Sequence, residues 1–142
     1  MRVALIYPLL PEFRFKQDEI KSYWPPLGLS YIASLLEKEG HEVKIIDRDV
    51  LRRKNGLSKD ETDLRTLDAL KKFNSEIVGF SATTPLISDV KHTTNLLRQN
   101  FSNLLIVLGG SHPTALPEQT LTECKDVDIL VSGEGEDRKS VV

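Results

Sequence analysis

Residues with small side chains follow two apolar segments of this sequence, at points where predicted strands would end. Hydroxyl groups come after one segment and a glycine pair after the next, and these residues are Ser81, Thr83, Thr84, Gly109 and Gly110. The hydroxyls can hydrogen-bond to a ligand, and the glycines let a flat or bulky ligand approach the backbone closely. The pattern predicts a slot for a large, mostly uncharged group, unless the glycines only turn the chain and Ser81 and Thr84 cap a helix.

Acid–base chemistry is a second interpretation of the same region. Ser111 and His112 follow the glycine pair and Glu134 lies on a later glycine loop, so a stand-alone small-molecule enzyme could use His112 as its acid or base. Glu134 and Glu136 alone do not establish proton transfer without a geometry that faces a substrate. Cys124 occupies an apolar helix position and is predicted to be a small core residue, not a nucleophile.

Five short aliphatic segments recur along the chain and are predicted to be strands. Continuous apolar stretches bounded by turn residues are typical of strands buried on both faces of a parallel sheet. The segments are Val3 to Tyr7, Val43 to Asp47, Ile77 to Ala82, Leu104 to Gly109 and Asp128 to Ser132.

Helical patterns separate these strands. One helix covers Pro25 to Glu39 and ends at Gly40, and the next begins at Ser58, which is spaced for a capping box with Glu61. The second helix has Leu64, Leu67, Leu70 and Phe73 at helical spacing. The third begins at Pro85, directly after Thr84, and has Ile87, Val90, Thr94, Leu97 and Phe101 at helical spacing. The fourth covers Pro117 to Cys124. This alternation predicts an α/β fold of the flavodoxin-like (Rossmann-like) type, with a five-stranded parallel sheet in the order 2-1-3-4-5 and helices on both faces.

Ligands of such sheets bind beyond the carboxyl ends of the strands, so the loops there are the candidate site. The third strand ends without the acidic residue that a phosphorylated receiver needs. The turn after the first strand, Tyr7 to Pro11, has neither the glycines of a dinucleotide site nor the Ser, Thr and Gly run of a flavin phosphate loop. The loop from Pro8 to Trp24 is predicted to be a functional flap or, alternatively, an aromatic loop pinned to the sheet edge.

The composition limits the partners of the chain. With 19 basic and 21 acidic side chains among 142 residues, it offers no overall basic surface to nucleic acid or anionic lipid. One cysteine cannot form an intrachain disulfide, a cysteine-only zinc site or an iron–sulfur cluster. No apolar run approaches a membrane span, and we expect a cytoplasmic protein. The charged stretch from Arg48 to Lys72 is interpreted as a solvated loop and helix face.

Three stretches, in this order, carry a resemblance to a known family. They are Pro25-Pro26-Leu27-Gly28-Leu29-Ser30-Tyr31-Ile32-Ala33 followed by Gly40-His41-Glu42-Val43 and Asp47, then Gly109-Gly110-Ser111-His112-Pro113-Thr114, then Val127-Asp128 and Gly133-Glu134-Gly135-Glu136. The sequence resembles the cobalamin-binding domain that precedes the catalytic barrel in B12-dependent radical S-adenosylmethionine enzymes. Ser81 to Pro85 is also similar to the serine-containing segment after strand three in B12 domains generally.

This resemblance implies a corrinoid whose dimethylbenzimidazole tail is buried beside the small residues of the slot. The residues assigned to cofactor binding are Ser81, Thr83, Thr84, Gly109, Gly110, Ser111, His112, Gly133 and Glu134, and none is assigned to catalysis or to a metal. The loop from Pro8 to Trp24 lacks the cobalt-ligating histidine of the methionine synthase type. We therefore predict that His41 is a turn residue, that His92 lies on the surface and that His112 anchors a loop.

The same resemblance implies that chemistry is shared with another domain. Residues 1–136 would form the cobalamin-binding domain and residues 137–142 a tail outside the family. A chain with one cysteine cannot hold the Cys-x-x-x-Cys-x-x-Cys motif of the radical family. The iron–sulfur cluster and S-adenosylmethionine are therefore expected on a missing or partner catalytic domain, in cis or in trans. An interaction domain that has lost its cofactor is a further alternative.

Overall fold

The chain folds around a five-stranded parallel sheet with the order β2-β1-β3-β4-β5. A computed structural model describes residues 1–11 and 25–133. The strands are β1 (Arg2–Tyr7), β2 (Glu42–Asp47), β3 (Ile77–Ser81), β4 (Leu105–Gly109) and β5 (Ile129–Leu130). The predicted fold class and strand order are confirmed, although β5 is shorter than the sequence suggested. The predictions for the Pro8 to Trp24 loop beyond residue 11, for Glu134 and Glu136, and for the tail at 137–142 lie outside the described residues.

Helices connect the strands. Within the described ranges they are α1 (Leu27–Lys38), α2 (Arg48–Asn55), α3 (Lys59–Phe73), α4 (Ile87–Asn100), α5 (Ser111–Ala115) and α6 (Pro117–Glu123), and a 3₁₀ turn at Thr84–Leu86 precedes α4. Helices α2 and α5 were not predicted, since α2 has only two apolar residues, Val50 and Leu51, and α5 is a single short turn. No helix in this part of the chain is both long and apolar enough to cross a membrane.

The helix ends follow from local chemistry. Gly40, which follows Glu39 at the end of α1, has the predicted left-handed backbone (φ +86°). Ser58 and Glu61 form the predicted capping box, in which each side chain accepts the other residue's backbone N–H. At the third helix the prediction needs a correction, because Thr83 and not Thr84 is the N-cap, and Pro85 lies inside the 3₁₀ turn.

The capping box gives a testable stability effect. Ser58→Ala removes the acceptor of the Glu61 N–H, a bond of 3.1 Å, and should lower the free energy of unfolding by about 1 kcal/mol. Ser88→Ala, a change on the exposed first turn of α4, serves as control and should be neutral or slightly stabilising, since alanine has the higher helix propensity. Urea unfolding followed by circular dichroism measures both, and equal losses would contradict the assignment.

The sheet separates two apolar layers. Val3 and Leu5 point to one face, where they pack on Leu29 and Ala33 of α1. The opposite face carries the larger core, whose members include Ala4, Ile6, Leu67, Leu70, Val78, Phe80, Val90, Leu97, Ile106, Leu108 and Cys124. The predicted core role of Cys124 is thus confirmed. Leu64, which was predicted to share one helix face with Leu67 and Leu70, is instead 66% exposed.

Candidate functional site

The loops after β3 and β4 meet at the carboxyl edge of the sheet. Ser81 is the register partner of Gly109, so both residues direct their Cβ positions to the same face. Just beyond them, the Ala82 N–H donates to the Gly109 carbonyl at 2.9 Å, and the His112 N–H donates to the Ala82 carbonyl at 3.1 Å. The predicted hydroxyl and glycine segments are therefore joined by backbone hydrogen bonds.

His112 links the same two loops through its side chain. Its Nδ1 shares a hydrogen bond of 3.0 Å with the Thr84 hydroxyl, and the residue is only 5% exposed. The predicted role as a loop anchor is confirmed. The other ring nitrogen, Nε2, is buried and has no hydrogen-bond partner in the described structure.

The two glycines of the pair play different parts. Gly110 has φ +111°, and a Cβ there would lie 2.6 Å from both the N and the O of Ala82. The fold itself requires this glycine, as the turn interpretation proposed. At Gly109 a Cβ would meet nothing closer than Val131, at 3.8 Å. Since the protein has room for a Cβ at Gly109, the glycine leaves that volume free on the face that it shares with Ser81.

The capping interpretation of the hydroxyl residues is wrong. Ser81 ends β3 and is not at a helix terminus, and Thr84 bonds to His112. Thr83 is the N-cap of the 3₁₀ turn, yet its side chain makes no capping hydrogen bond. The exposed Thr83 hydroxyl and the half-buried Ser81 hydroxyl therefore have no role as helix caps.

The loop after β5 is hydrogen-bonded to the loop after β4. The Gly133 N–H donates to the Thr114 hydroxyl at 3.0 Å, and that hydroxyl donates to the Gly110 carbonyl at 2.7 Å. Ser111 is exposed at the start of α5. The structure thus brings eight of the nine assigned residues to one edge, and Glu134 lies outside the described residues. Thr114 was not assigned to the site, although it belongs to the same Gly-Gly-Ser-His-Pro-Thr stretch.

Tyr7 is a further side chain on this side of the sheet that the sequence did not single out. Leu5 pairs with Gly79, and two residues on, Tyr7 and Ser81 share the same face. Burial, assisted by the carboxylates of Asp47 and Asp49, raises the pKa of the Tyr7 phenol. The phenol stays neutral at physiological pH, so this face offers hydroxyl groups without adding a charge.

A buried ionic cluster lies behind the same edge and corrects the interpretation of the charged stretch. Arg48 has an exposure of 0%. Its guanidinium donates to Asp89 (Nε to Oδ2, 3.0 Å), to Asp63 (2.7 Å) and to the Thr66 hydroxyl (2.9 Å). The stretch was predicted to be solvated because charged residues are rarely buried unless they are paired. The sequence did not reveal the partners of Arg48, because they lie on other helices.

His92 belongs to the same cluster. It was predicted to lie on the surface and does keep 37% of its side chain exposed, but its Nε2 also lies 2.6 Å from Asp63 Oδ2. Burial tends to raise the pKa of the Asp63 carboxyl, yet the hydrogen bonds from Arg48 and His92 outweigh it and hold that pKa below the usual range. Asp63 is therefore ionised at neutral pH.

The described part of the site contains no grouping of side chains suited to hold a metal directly. Within residues 1–11 and 25–133, no three His, Cys, Asp or Glu side chains come together as metal ligands. This edge offers hydroxyl groups, room for a Cβ at Gly109 and loops joined by backbone hydrogen bonds. A parallel α/β sheet with such an edge defines a ligand-binding domain of the flavodoxin-like class.

Comparison with known families gives this class a more specific identity. Residues 17–142 match the model of the B12 binding domain. The chain belongs to the B12-binding domain family. This match includes every strand except β1, and it includes the site loops that follow β3, β4 and β5.

Several curated proteins are similar to almost the whole of this chain. The chain is 37% identical to an uncharacterized methyltransferase of Pyrococcus horikoshii, over 96% of this chain and 27% of that protein. It is 32% identical to an anaerobic magnesium-protoporphyrin IX monomethyl ester cyclase of Rubrivivax gelatinosus, over 96% of this chain and 23% of the relative. It is also 32% identical to a cytidylyl-2-hydroxyethylphosphonate methyltransferase of Streptomyces wedmorensis, over 95% and 26%. The chain spans about a quarter of the length of these relatives.

Proposed function

We propose that this chain binds cobalamin in the base-off form, with the nucleotide tail on the face shared by Ser81 and Gly109. The observation that carries the proposal is the free space at Gly109, because the fold does not require a glycine there. A dimethylbenzimidazole is a flat apolar heterocycle that needs a dry slot and one donor for its ring nitrogen. The Ser81 hydroxyl lies at the register position beside that space.

The remaining assigned residues would shape the mouth of this slot. The Thr83 hydroxyl is exposed at the rim, and Thr84 and His112 hold the loops after β3 and β4 together. Gly110 lets the turn pass close to Ala82. When bound, the corrinoid supplies a cobalt centre that can carry a methyl group. The chain's own residues bind and orient the cofactor.

We further propose a radical S-adenosylmethionine catalytic domain as the partner, in cis or in trans. The support is that the chain spans about a quarter of its relatives, two of which are named methyltransferases and one a cyclase. The iron–sulfur cluster and S-adenosylmethionine would belong to that partner. In this proposal residues 1–136 are the cobalamin module, and it works in the cytoplasm.

Corrinoid binding is tested by two ligands that differ in the tail. The chain, mixed with hydroxocobalamin and gel filtered, should retain the visible corrinoid spectrum. Cobinamide, which lacks the nucleotide, should bind more weakly. Gly109→Ala adds one methyl group to the slot and should weaken cobalamin binding about tenfold, the equivalent of roughly 1.4 kcal/mol, with little effect on cobinamide.

The control for this variant is Gly28→Ala, the same chemical change at an exposed helix position where a Cβ meets nothing within 4 Å. It should leave the affinity for both ligands unchanged. Absence of corrinoid absorbance in the wild-type protein would overturn the proposed function. Equal weakening of both ligands by Gly109→Ala would contradict the position of the tail.

A further inference from the structure

One carboxylate joins three of the segments that surround the candidate site. Asp89 Oδ2 accepts the Leu9 backbone N–H at 2.7 Å, and Arg48 Nε at 3.0 Å. Asp89 Oδ1 accepts Arg48 Nη2 at 3.1 Å. Leu9 follows β1, Arg48 follows β2, and Asp89 lies in the first turn of α4 after β3. The loops at three neighbouring strand ends therefore meet at one buried side chain.

The segment that carries the site hydroxyls is held from both sides. On the β4 side, Thr84 shares its hydrogen bond with His112. On the opposite side, Asp89 follows Thr84 by five residues in the continuous 3₁₀ turn and helix, and it is tied to Arg48 and Leu9. A shift of α4 relative to β1 would move the Thr83 and Thr84 hydroxyls relative to Gly109.

We propose that Arg48 is a positioning residue for the cofactor site and that it acts through Asp89. This inference rests on the proposed corrinoid function. Arg48 suits the task because its planar guanidinium can fork onto both oxygens of Asp89 while it also reaches Asp63 and Thr66. Because the guanidinium is wholly buried, these bonds are protected from competing water.

The chain offers a matched pair of variants for the test. Asp89→Asn and Asp63→Asn each remove one negative charge from a buried partner of Arg48. Only Asp89 connects the guanidinium with the Leu9 N–H and with the first turn of α4. Asp63 lies on α3 and reaches α4 only through His92, in the second turn of that helix. A purely structural role of the cluster predicts the same consequences for both variants at the site.

The expected result is a difference between the two variants in hydroxocobalamin binding. Asp89→Asn should raise the dissociation constant about tenfold, a typical size for coupling between distinct positions, and Asp63→Asn less than about threefold. Hydrogen exchange of the apo-protein gives a second readout. The Leu9 amide should exchange faster in Asp89→Asn and should keep its wild-type protection in Asp63→Asn.

Equal losses of affinity in the two variants, or unchanged binding in Asp89→Asn, would overturn the positioning role. If Asp89→Asn fails to fold, Asp89→Glu replaces it, since it retains the charge for Arg48 but displaces the carboxylate from Leu9. If the wild-type protein binds no corrinoid, the proposed function fails. The Leu9 amide then still decides whether Asp89 fixes the loop after β1.

Discussion

Gly110→Ala should destabilise the protein by about 3–5 kcal/mol, whereas Gly109→Ala should be neutral or stabilising by up to about 1 kcal/mol. The two substitutions are chemically identical and adjacent in the chain. The opposite outcomes follow from what each new methyl group meets. At Gly110 the Cβ would lie 2.6 Å from two backbone atoms of Ala82, and at Gly109 the nearest atom is 3.8 Å away.

The Gly110 position cannot relax cheaply. Its φ of +111° disfavours any L side chain, and the obstructing atoms are backbone atoms. Ala82 is itself fixed, because its N–H bonds to the Gly109 carbonyl and its carbonyl accepts the His112 N–H. Any movement that accommodates the methyl group would break the link between the β3 and β4 loops.

Urea unfolding of both variants, followed by circular dichroism, gives the comparison. Gly109→Ala also gains from the reduced entropy of its unfolded chain, since glycine is costly to order in a strand. Equal stability of Gly110→Ala and the wild type would show that the Ala82 turn is softer than the structure indicates. A loss above about 2 kcal/mol for Gly109→Ala would remove the argument that its free space is reserved for a ligand.

The alternating strands and helices of this fold, and the caps of two helices, could be predicted from the sequence. Strands buried on both faces leave continuous apolar segments, and the caps at Ser58 and Gly40 are short-range features. Alternating strands and helices then predict a parallel sheet with right-handed crossovers, for which 2-1-3-4-5 is one of the common strand orders. The candidate site could be located for the same reason, because loops after parallel strands meet at one edge.

Features that depend on distant partners were not predictable in this way. Arg48 looks solvated in a charged stretch, and only the packing of α3 and α4 shows that Asp63 and Asp89 enclose it. The glycine pair looks uniform in sequence, and only the approach of Ala82 separates Gly110 from Gly109. Leu64 has helical spacing with the core leucines, but the rotation of α3 leaves it exposed.

The buried cluster leads to the second large effect. Arg48→Met keeps much of the side-chain volume but removes the only cation that Asp89 contacts in the described structure. It should cost about 3–5 kcal/mol of unfolding free energy, because buried carboxylates lose their partner. Lys72→Met, which removes an exposed i,i+4 pair with Asp68, is the control and should change stability by less than about 0.5 kcal/mol.

Two additional measurements separate this electrostatic cause from lost packing. Adding Asp63→Asn and Asp89→Asn to Arg48→Met removes the stranded charges and should recover about half of the loss, since apolar or neutral replacement of a buried ionic group is often tolerated. Recovery would fail if Arg48 stabilised the fold mainly through the contacts of its aliphatic stem.

The pH dependence of the unfolding free energy also separates the electrostatic cause from lost packing, and it needs no further mutations. In the wild type the pKa of Asp63 is held low, so its contribution to stability is present above the unfolded pKa of about 4 and is lost as the pH falls through the folded value. In Arg48→Met, Asp63 keeps His92 but loses the Arg48 hydrogen bond that lowers its pKa, so its protonation should recover part of the lost stability. The stability gap between wild type and variant should therefore narrow from pH 7 to about pH 4. A gap that stays constant over this range would mean that the guanidinium charge is not what stabilises the cluster.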